Sequence, residues 1–331
     1  MKPQKILVVA LGRIGDLVLV TPIFRALKQD NPAHEVHLLA GRNNHQLVQA
    51  HPFIDKVHVY TKKPLNTLKL LYTLQATRFD LWIDPKDHTS RESRFFARIG
   101  RAGVSVGYND ANKSQVFTHS VRPHTEQLGV HASIRALHAL EPLGIYAEDT
   151  RPVLTVDPGS AQRLQTFLRA QGLPPCYYLV NISGAIPDRT WQTEKWIGLI
   201  NRIGKRDNRH FLLCCLPRDR AQAEHILEHT VNTSLYPTPS IIDAVTAVAH
   251  ADLILTVDTS IVHIASAFNT PIVSLHVNIY REYSKYRPLS DKARCLMALG
   301  EGAMVPEIPL EMVLREYHSL REASRLSPRA L

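Results

Sequence analysis

The sequence predicts an α/β protein made of two parallel-sheet domains in series. Three observations carry that expectation. The chain has 331 residues, more than one hydrophobic core usually serves. Short apolar runs alternate with helical segments over residues 5–144 and again over 176–277, the pattern of successive βαβ units. Between the two series, RPVLTVDPGSAQRLQTFLRAQGLPP (151–175) holds four prolines and two glycines, which marks a boundary. The domains are therefore expected at 1–165 and 174–308. A terminal helix and tail at 309–331 is expected to pack back on the first domain.

The elements follow in order. KILVVAL (5–11) is a buried strand, and DLVLVTPIFRALKQ (16–29) reads as one helix. EVHLLAG (35–41) is a strand, NNHQLVQAH (43–51) a helix and DKVHVY (55–60) a strand. LNTLKLLYTLQAT (65–77) is an amphipathic helix, DLWIDP (80–85) a strand and SRESRFFARIG (90–100) a helix. VSVGY (104–108) is a short strand, and HASIRALHALEPLG (131–144) closes the first series as a helix. In the second series, strands fall at CYYLVNIS (176–183), RHFLLCCLP (209–217), DLILTV (252–257) and PIVSLHV (271–277). Helices fall at EKWIGLINRIGKR (194–206), RAQAEHILEH (220–229), SIIDAVTAVAHA (240–251) and SIVHIASAF (260–268). PLEMVLREYHSLREAS (309–324) is the terminal amphipathic helix. Ligands of such sheets bind beyond the strands' carboxyl ends, so two facing domains would share one cleft.

Hydrophobic residues make up 44% and charged residues 21%, an ordinary globular composition. Lysine and arginine exceed aspartate and glutamate by 39 − 30, giving +9. A basic chain favours acidic partners: nucleic acid, an anionic membrane or phosphorylated substrates. The four cysteines form no CxxC pair, and two sit in FLLCCL, as expected of buried thiols in a reducing compartment. MKPQK leads straight into a strand, with no secretory pattern. No apolar run approaches the ~18–20 residues of a spanning helix. A cytoplasmic location is expected, with room for peripheral contact with a membrane.

The loop GRIGD (12–16) is GxxG. It lacks the three-glycine dinucleotide fingerprint, and the chain has no Walker pattern. Asp16 stands at the helix start, where a carboxylate would repel a phosphate. Two roles remain for it: a helix cap worth ~0.5–2 kcal/mol, or a general base at the rim of a cleft.

ADLILTVDTSIVHIASAFNTPIVSL (251–275) suits a diphosphate better. Its strand ends at Asp258, Thr259 and Ser260 open a helix, and His263 follows one turn on. Hydroxyls, backbone N–H groups and an imidazole then meet at one helix start. In NISGAIPDRTWQTEKW (181–196), Ser183 and Gly184 suit close approach to phosphate oxygens, and Arg189 offers a bidentate cation. No DxD or HExxH motif occurs, so no metal site and no cofactor are expected.

These segments, with KILVVALGRIGDLVLVTPIFRALKQDNP and FDLWIDPKDHTSRESRFFARIGRAGVSVGYN, resemble the bacterial heptosyltransferases of glycosyltransferase family 9. The resemblance is colinear over nearly the whole chain. It implies a GT-B architecture, two Rossmann-like domains facing across a cleft, and inverting transfer without a metal. It implies that heptose moves from ADP-L-glycero-D-manno-heptose to a phosphorylated lipopolysaccharide inner core carrying Kdo or heptose on lipid A. Asp16 corresponds to the family's proposed base. Donor contacts are then expected from Ser183, Gly184, Arg189, Asp258, Thr259, Ser260 and His263. Acceptor contacts are expected from Arg13, Lys62, Lys63, Lys86, Arg91 and Arg94, with Arg42 and Arg98 also available. The basic KKPLNTLKLLYTL helix is a candidate for contact with the inner membrane. Ser260 stands where the family has glycine, Arg189 where lysine is usual and Gln192 where proline is usual. HVNIYREYSKYRP (276–288) replaces an aromatic-Gly-Pro-Thr segment, which leaves another nucleotide-sugar or acceptor open. Two rivals lie outside this class. A non-enzymatic nucleic-acid binder fits the charge, but no RRM, zinc-finger or helix-turn-helix motif accompanies it. A dinucleotide oxidoreductase lacks its glycine fingerprint.

Overall fold

A computed structural model describes residues 2–324. The chain divides into two compact units between Thr155 and Val156. The first contains β1 (Lys5–Ala10), α1 (Ile14–Val20), α2 (Pro22–Asp30), β2 (Glu35–Gly41), β3 (Lys56–Tyr60) and α3 (Pro64–Thr77). It continues with β4 (Leu81–Ile83), α4 (Arg91–Gly100), β5 (Val104–Gly107), β6 (His119–Ser120) and α5 (Ala132–Leu137). Its strands run in the order β3-β2-β1-β4-β5-β6, and every pairing is parallel.

The second unit contains α6 (Pro158–Ala170), β7 (Tyr177–Asn181), α7 (Thr193–Asp207), β8 (His210–Cys214), α8 (Arg220–Glu228) and β9 (Thr233–Leu235). It continues with α9 (Ile241–His250), β10 (Leu253–Val257), α10 (Ser260–Phe268), β11 (Ile272–His276), α11 (Tyr280–Tyr286), β12 (Ala293–Met297) and α12 (Leu310–Ser324). The strand order β12-β11-β10-β7-β8-β9 repeats the first sheet's order, again all parallel. Both units are therefore doubly wound. The central strands are buried along their length because helices cover both faces.

The proline-rich stretch proves to be a helix start. Pro158 occupies the first turn of α6, and Asp157 Oδ2 accepts the Ser160 N–H at 2.7 Å. Helix α6 packs on α9, where Arg163 meets the buried Asp243 at 2.7 Å. The division thus falls ten residues before the expected position 165. The C-terminal helix belongs to the second unit. Val313, Tyr317 and Leu320 of α12 join Tyr178 and Phe211 in the second unit's core. Residues 325–331 of that expected tail lie outside the described residues.

Two other expected helices are interrupted. The one at 16–29 breaks at Thr21, whose hydroxyl donates to the Val18 carbonyl at 2.6 Å, and Pro22 starts a new helix. The one at 131–144 tightens into a 3-10 segment after Leu137, with Pro142 inside it. Residues 43–51 form only a short 3-10 turn at His45–Val48.

Candidate active site

In a doubly wound sheet the crossovers reverse direction beside the first strand, and a crevice opens beyond the carboxyl ends there. In the second unit that point lies between β7 and β10. Ser183 and Gly184 follow β7, Asp258 and Thr259 follow β10, and Ser260 and His263 lie on α10. The structure thus gathers the expected donor residues at one end of one sheet.

Asn181 ends β7 and links the two strands. Its Nδ2 donates to Thr256 Oγ1 at 2.9 Å and to Thr259 Oγ1 at 3.3 Å. Thr259 caps α10, accepting the Ile261 N–H at 3.4 Å. The first turn of α10 thereby points its backbone N–H groups and positive dipole end into the switch point. Ser183 Oγ accepts the Leu216 N–H at 2.8 Å, fixing the loop after β7 to the loop after β8. Arg218 donates to the Gly184 carbonyl.

Gly184 is required by close approach. A Cβ there would lie 2.2 Å from the Arg189 carbonyl oxygen and 2.6 Å from Thr190 Oγ1. Backbone cannot rotate aside as a flexible side chain can. Gly184→Ala should therefore lower stability by about 1–3 kcal/mol, read by denaturant unfolding. A change within about 0.5 kcal/mol would show that the turn relaxes freely.

A charged cluster stands beside this loop. Arg189 Nη1 lies 3.1 Å from Asp258 Oδ2, and its Nη2 lies 3.5 Å from Glu282 Oε2 on α11. His276 Nδ1 approaches Asp258 Oδ1 at 3.7 Å, and its Nε2 bonds Ser274 Oγ at 2.8 Å. Burial pushes the Asp258 carboxyl up to about 6, against the pull of Arg189 and with the help of Glu282. Burial, then the Arg189 charge, holds His276 down at about 4. His263 is buried, its ring 6.1 Å from that of Tyr286. A pocket of about 590 Å³ is bounded by Ile186, Thr190, Gln192, Arg218 and Gln222, not by Asp258 or Thr259.

In the first unit the switch point lies between β1 and β4. Asp16 is exposed, and its Oδ2 accepts the Arg13 backbone N–H at 2.9 Å. It is a helix cap, reaching back from the first turn of α1. Gly12 makes room for it, since a Cβ there would come within 2.6 Å of Asp16 Oδ2. Buried Asn44 donates to the Ala10 and Gly12 carbonyls at 3.0 and 3.1 Å, fixing the same loop. Beyond β4, Asp84 is buried and accepts from the Ser93 hydroxyl. Asp87 pairs with buried Arg135 at 2.9 Å.

The expected acceptor cations divide into two groups. Arg13, Lys63 and Arg91 are exposed, as are Arg42 and Arg98. Lys62 pairs with Glu92 at 2.8 Å, and Lys86 Nζ approaches Ser90 Oγ at 3.4 Å. Arg94 is buried and donates to the Ser114 carbonyl, so it braces the loop after β5.

Among the described residues, His225, Glu228 and His229 bring potential metal-ligand atoms within 4.8 Å of one another. All three are exposed at the end of α8, outside both switch points. The HILEH spacing carried that signal in the sequence. The roles of Asn181, Asn44 and Glu282 have no local sequence signal, because each acts through a partner distant in the chain.

No helix among the described residues is long and apolar enough to cross a membrane. Residues 67–307 match glycosyltransferase family 9 (heptosyltransferase). Lipopolysaccharide heptosyltransferase 3 of Escherichia coli K12 is 26% identical over 276 residues, 79% of each chain. A glycosyl transferase family 9 structure from Veillonella parvula has a TM-score of 0.86 at 19% identity, covering 97% of this chain and 98% of that one. The E. coli ADP-heptose lipopolysaccharide heptosyltransferase II structure has a TM-score of 0.79 at 18% identity, covering 97% and 99%. These two likenesses show the fold across both units. The sequence match spans most of the chain, which therefore belongs to glycosyltransferase family 9 and is a glycosyltransferase.

Proposed function

We propose that this chain transfers heptose from ADP-L-glycero-D-manno-heptose to a phosphorylated lipopolysaccharide core precursor. The observation that carries this reading is the second unit's switch point. It holds a capped helix N-terminus, a glycine-dependent turn and an arginine together. Related structures support the ADP moiety: E. coli WaaC has been solved with ADP and with ADP-2-deoxy-2-fluoro heptose. The lipopolysaccharide heptosyltransferase 3 relative supports the acceptor class.

The donor diphosphate lies against the first turn of α10 and competes with Asp258 and Glu282 for Arg189. Negative charge grows on that diphosphate as the glycosidic bond breaks. Preorganised N–H groups and Arg189 stabilise it at little reorganisation cost. Asp16 takes the proton from the attacking acceptor hydroxyl, and the anomeric centre inverts. The exposed cations Arg13, Lys63 and Arg91 meet the acceptor's phosphates.

Thermal unfolding of the purified protein with ADP-heptose, ADP, UDP-glucose and GDP-mannose tests the donor. The ADP compounds should stabilise it by about 2.7 kcal/mol at a hundredfold excess over their dissociation constant. Stabilisation by UDP- or GDP-sugars alone would remove heptose as the donor. A second donor has one observation in its favour: the charged helix α11 occupies 280–286, within the segment that departs from the family pattern.

A further inference from the structure

Helix α3 is apolar on two opposite faces. Leu70 and Leu74 are buried in the first unit's core. On the outer face, Leu65, Leu68 and Tyr72 are 74%, 64% and 75% exposed. Their i, i+3, i+7 spacing places them in one stripe. A water-facing helix side normally carries polar residues, so three large apolar side chains in a row need a partner.

The charge around the stripe is one-sided. Pro64–Thr77 contains no aspartate or glutamate. Lys63 and Lys69 flank the exposed leucines. Helix α4 packs against α3 and turns Arg91, Phe95 and Arg98 outward, Phe95 being 48% exposed. Glu92 is the acid on α4, and Lys62 holds it at 2.8 Å. A second copy of this chain seated here would set cations against cations. An anionic bilayer satisfies both features, since leucine and aromatic side chains enter its acyl boundary while lysine and arginine meet its headgroups.

We infer that the outer face of α3, with the exposed edge of α4, docks the protein on an anionic lipid surface. The inference extends the lipid-borne acceptor of the proposed function, but its test contains neither donor nor acceptor. A failure of the transfer assay therefore leaves it intact, and the reverse holds. The full chain should cosediment with phosphatidylglycerol vesicles, far less with phosphatidylcholine vesicles, and less again as salt rises. Leu68→Glu/Tyr72→Glu should weaken that binding about tenfold or more. Both side chains are exposed, so the fold and turnover on a soluble delipidated acceptor should be unchanged. In the otherwise intact chain, Tyr72→Trp should shift its emission to the blue when phosphatidylglycerol vesicles are added. Equal binding by the wild type and the double variant would overturn the inference, as would absence of binding. Concentration-dependent dimerisation that the same variant abolishes would make the face a contact between copies and also overturn it.

Discussion

Asp16→Asn should lower turnover by about 10²–10⁴-fold, the usual worth of a positioned general base. The structure makes asparagine the informative substitution. Asp16 Oδ2 accepts the Arg13 N–H and so caps α1. An asparagine carbonyl oxygen can keep that bond but cannot take a proton from a sugar hydroxyl. Asp16→Ala loses both roles, so it should share the loss of turnover and also lose about 0.5–2 kcal/mol of stability. Affinity for ADP-heptose, measured by calorimetry, should be close to wild type in both, because the proposed donor contacts lie on the second unit. Initial rates of ADP release give the comparison. Near-normal turnover with asparagine would reduce Asp16 to a helix cap and remove the proposed base.

The two roles are compatible because they use the carboxylate differently. One oxygen is engaged with the backbone, and the side chain remains exposed. The cap fixes the carboxylate's orientation, as a general base requires. Gly12 belongs to the same arrangement, since a side chain there would collide with the folded-back carboxylate. The GRIGD stretch therefore has a joint explanation in local sterics and proposed chemistry.

Both sheets were legible in the sequence because their central strands are buried on both faces and read as unbroken apolar runs. EVHLLAG was delimited to the residue as β2. Three of the four edge strands were not legible; the fourth, β3, reads as the strand DKVHVY. β6 has two exposed residues, β9 three half-buried ones, and β12 runs ARCLM with only Leu296 buried. These three strands bury too little to carry an apolar signature. Helix α6 was hidden because Pro158 and Gly159 resemble breakers, although proline is favoured in a helix's first turn. Thr259 and Gly184 are legible as local features, a helix cap and a tight turn. The Arg189–Asp258 and Arg189–Glu282 pairs are not, being 69 and 93 residues apart in the chain. Such partners meet only once the sheet order is known.

Acid should unfold the first unit before the second. His51 and His58 are buried in the first unit, and burial holds each down at about 4, against 6.5 when exposed. His51 Nε2 donates to the Val153 carbonyl at 3.1 Å while its Nδ1 accepts the Phe53 N–H at 3.3 Å, which fixes a neutral tautomer. His58 Nε2 shares a 2.9 Å hydrogen bond with His37 Nδ1, and His37 Nε2 donates to Glu35 at 2.7 Å. Between pH 6.5 and about 4 the unfolded chain binds protons at these sites and the folded chain does not, so stability falls as pH falls. Each pH unit costs about 1.4 kcal/mol per histidine, or about 4 kcal/mol for the pair by roughly pH 5, less what protonation of the buried Asp84, whose carboxyl burial raises, returns to the same unit. In the second unit, His276 is likewise held down at about 4. Asp258 opposes it: its carboxyl is raised from 3.8 to about 6, so the folded state gains from protonation over that range. Those two contributions largely cancel, leaving about 1 kcal/mol lost at the same pH. Calorimetry between neutral pH and about pH 5 should therefore show one transition moving strongly downward. Limited proteolysis should assign it to the residues before Val156. His51→Gln/His58→Gln should flatten that pH dependence, whatever it does to stability at neutral pH. Transitions that fall in parallel, or a second unit that melts first, would contradict the assignment of acid sensitivity to this pair.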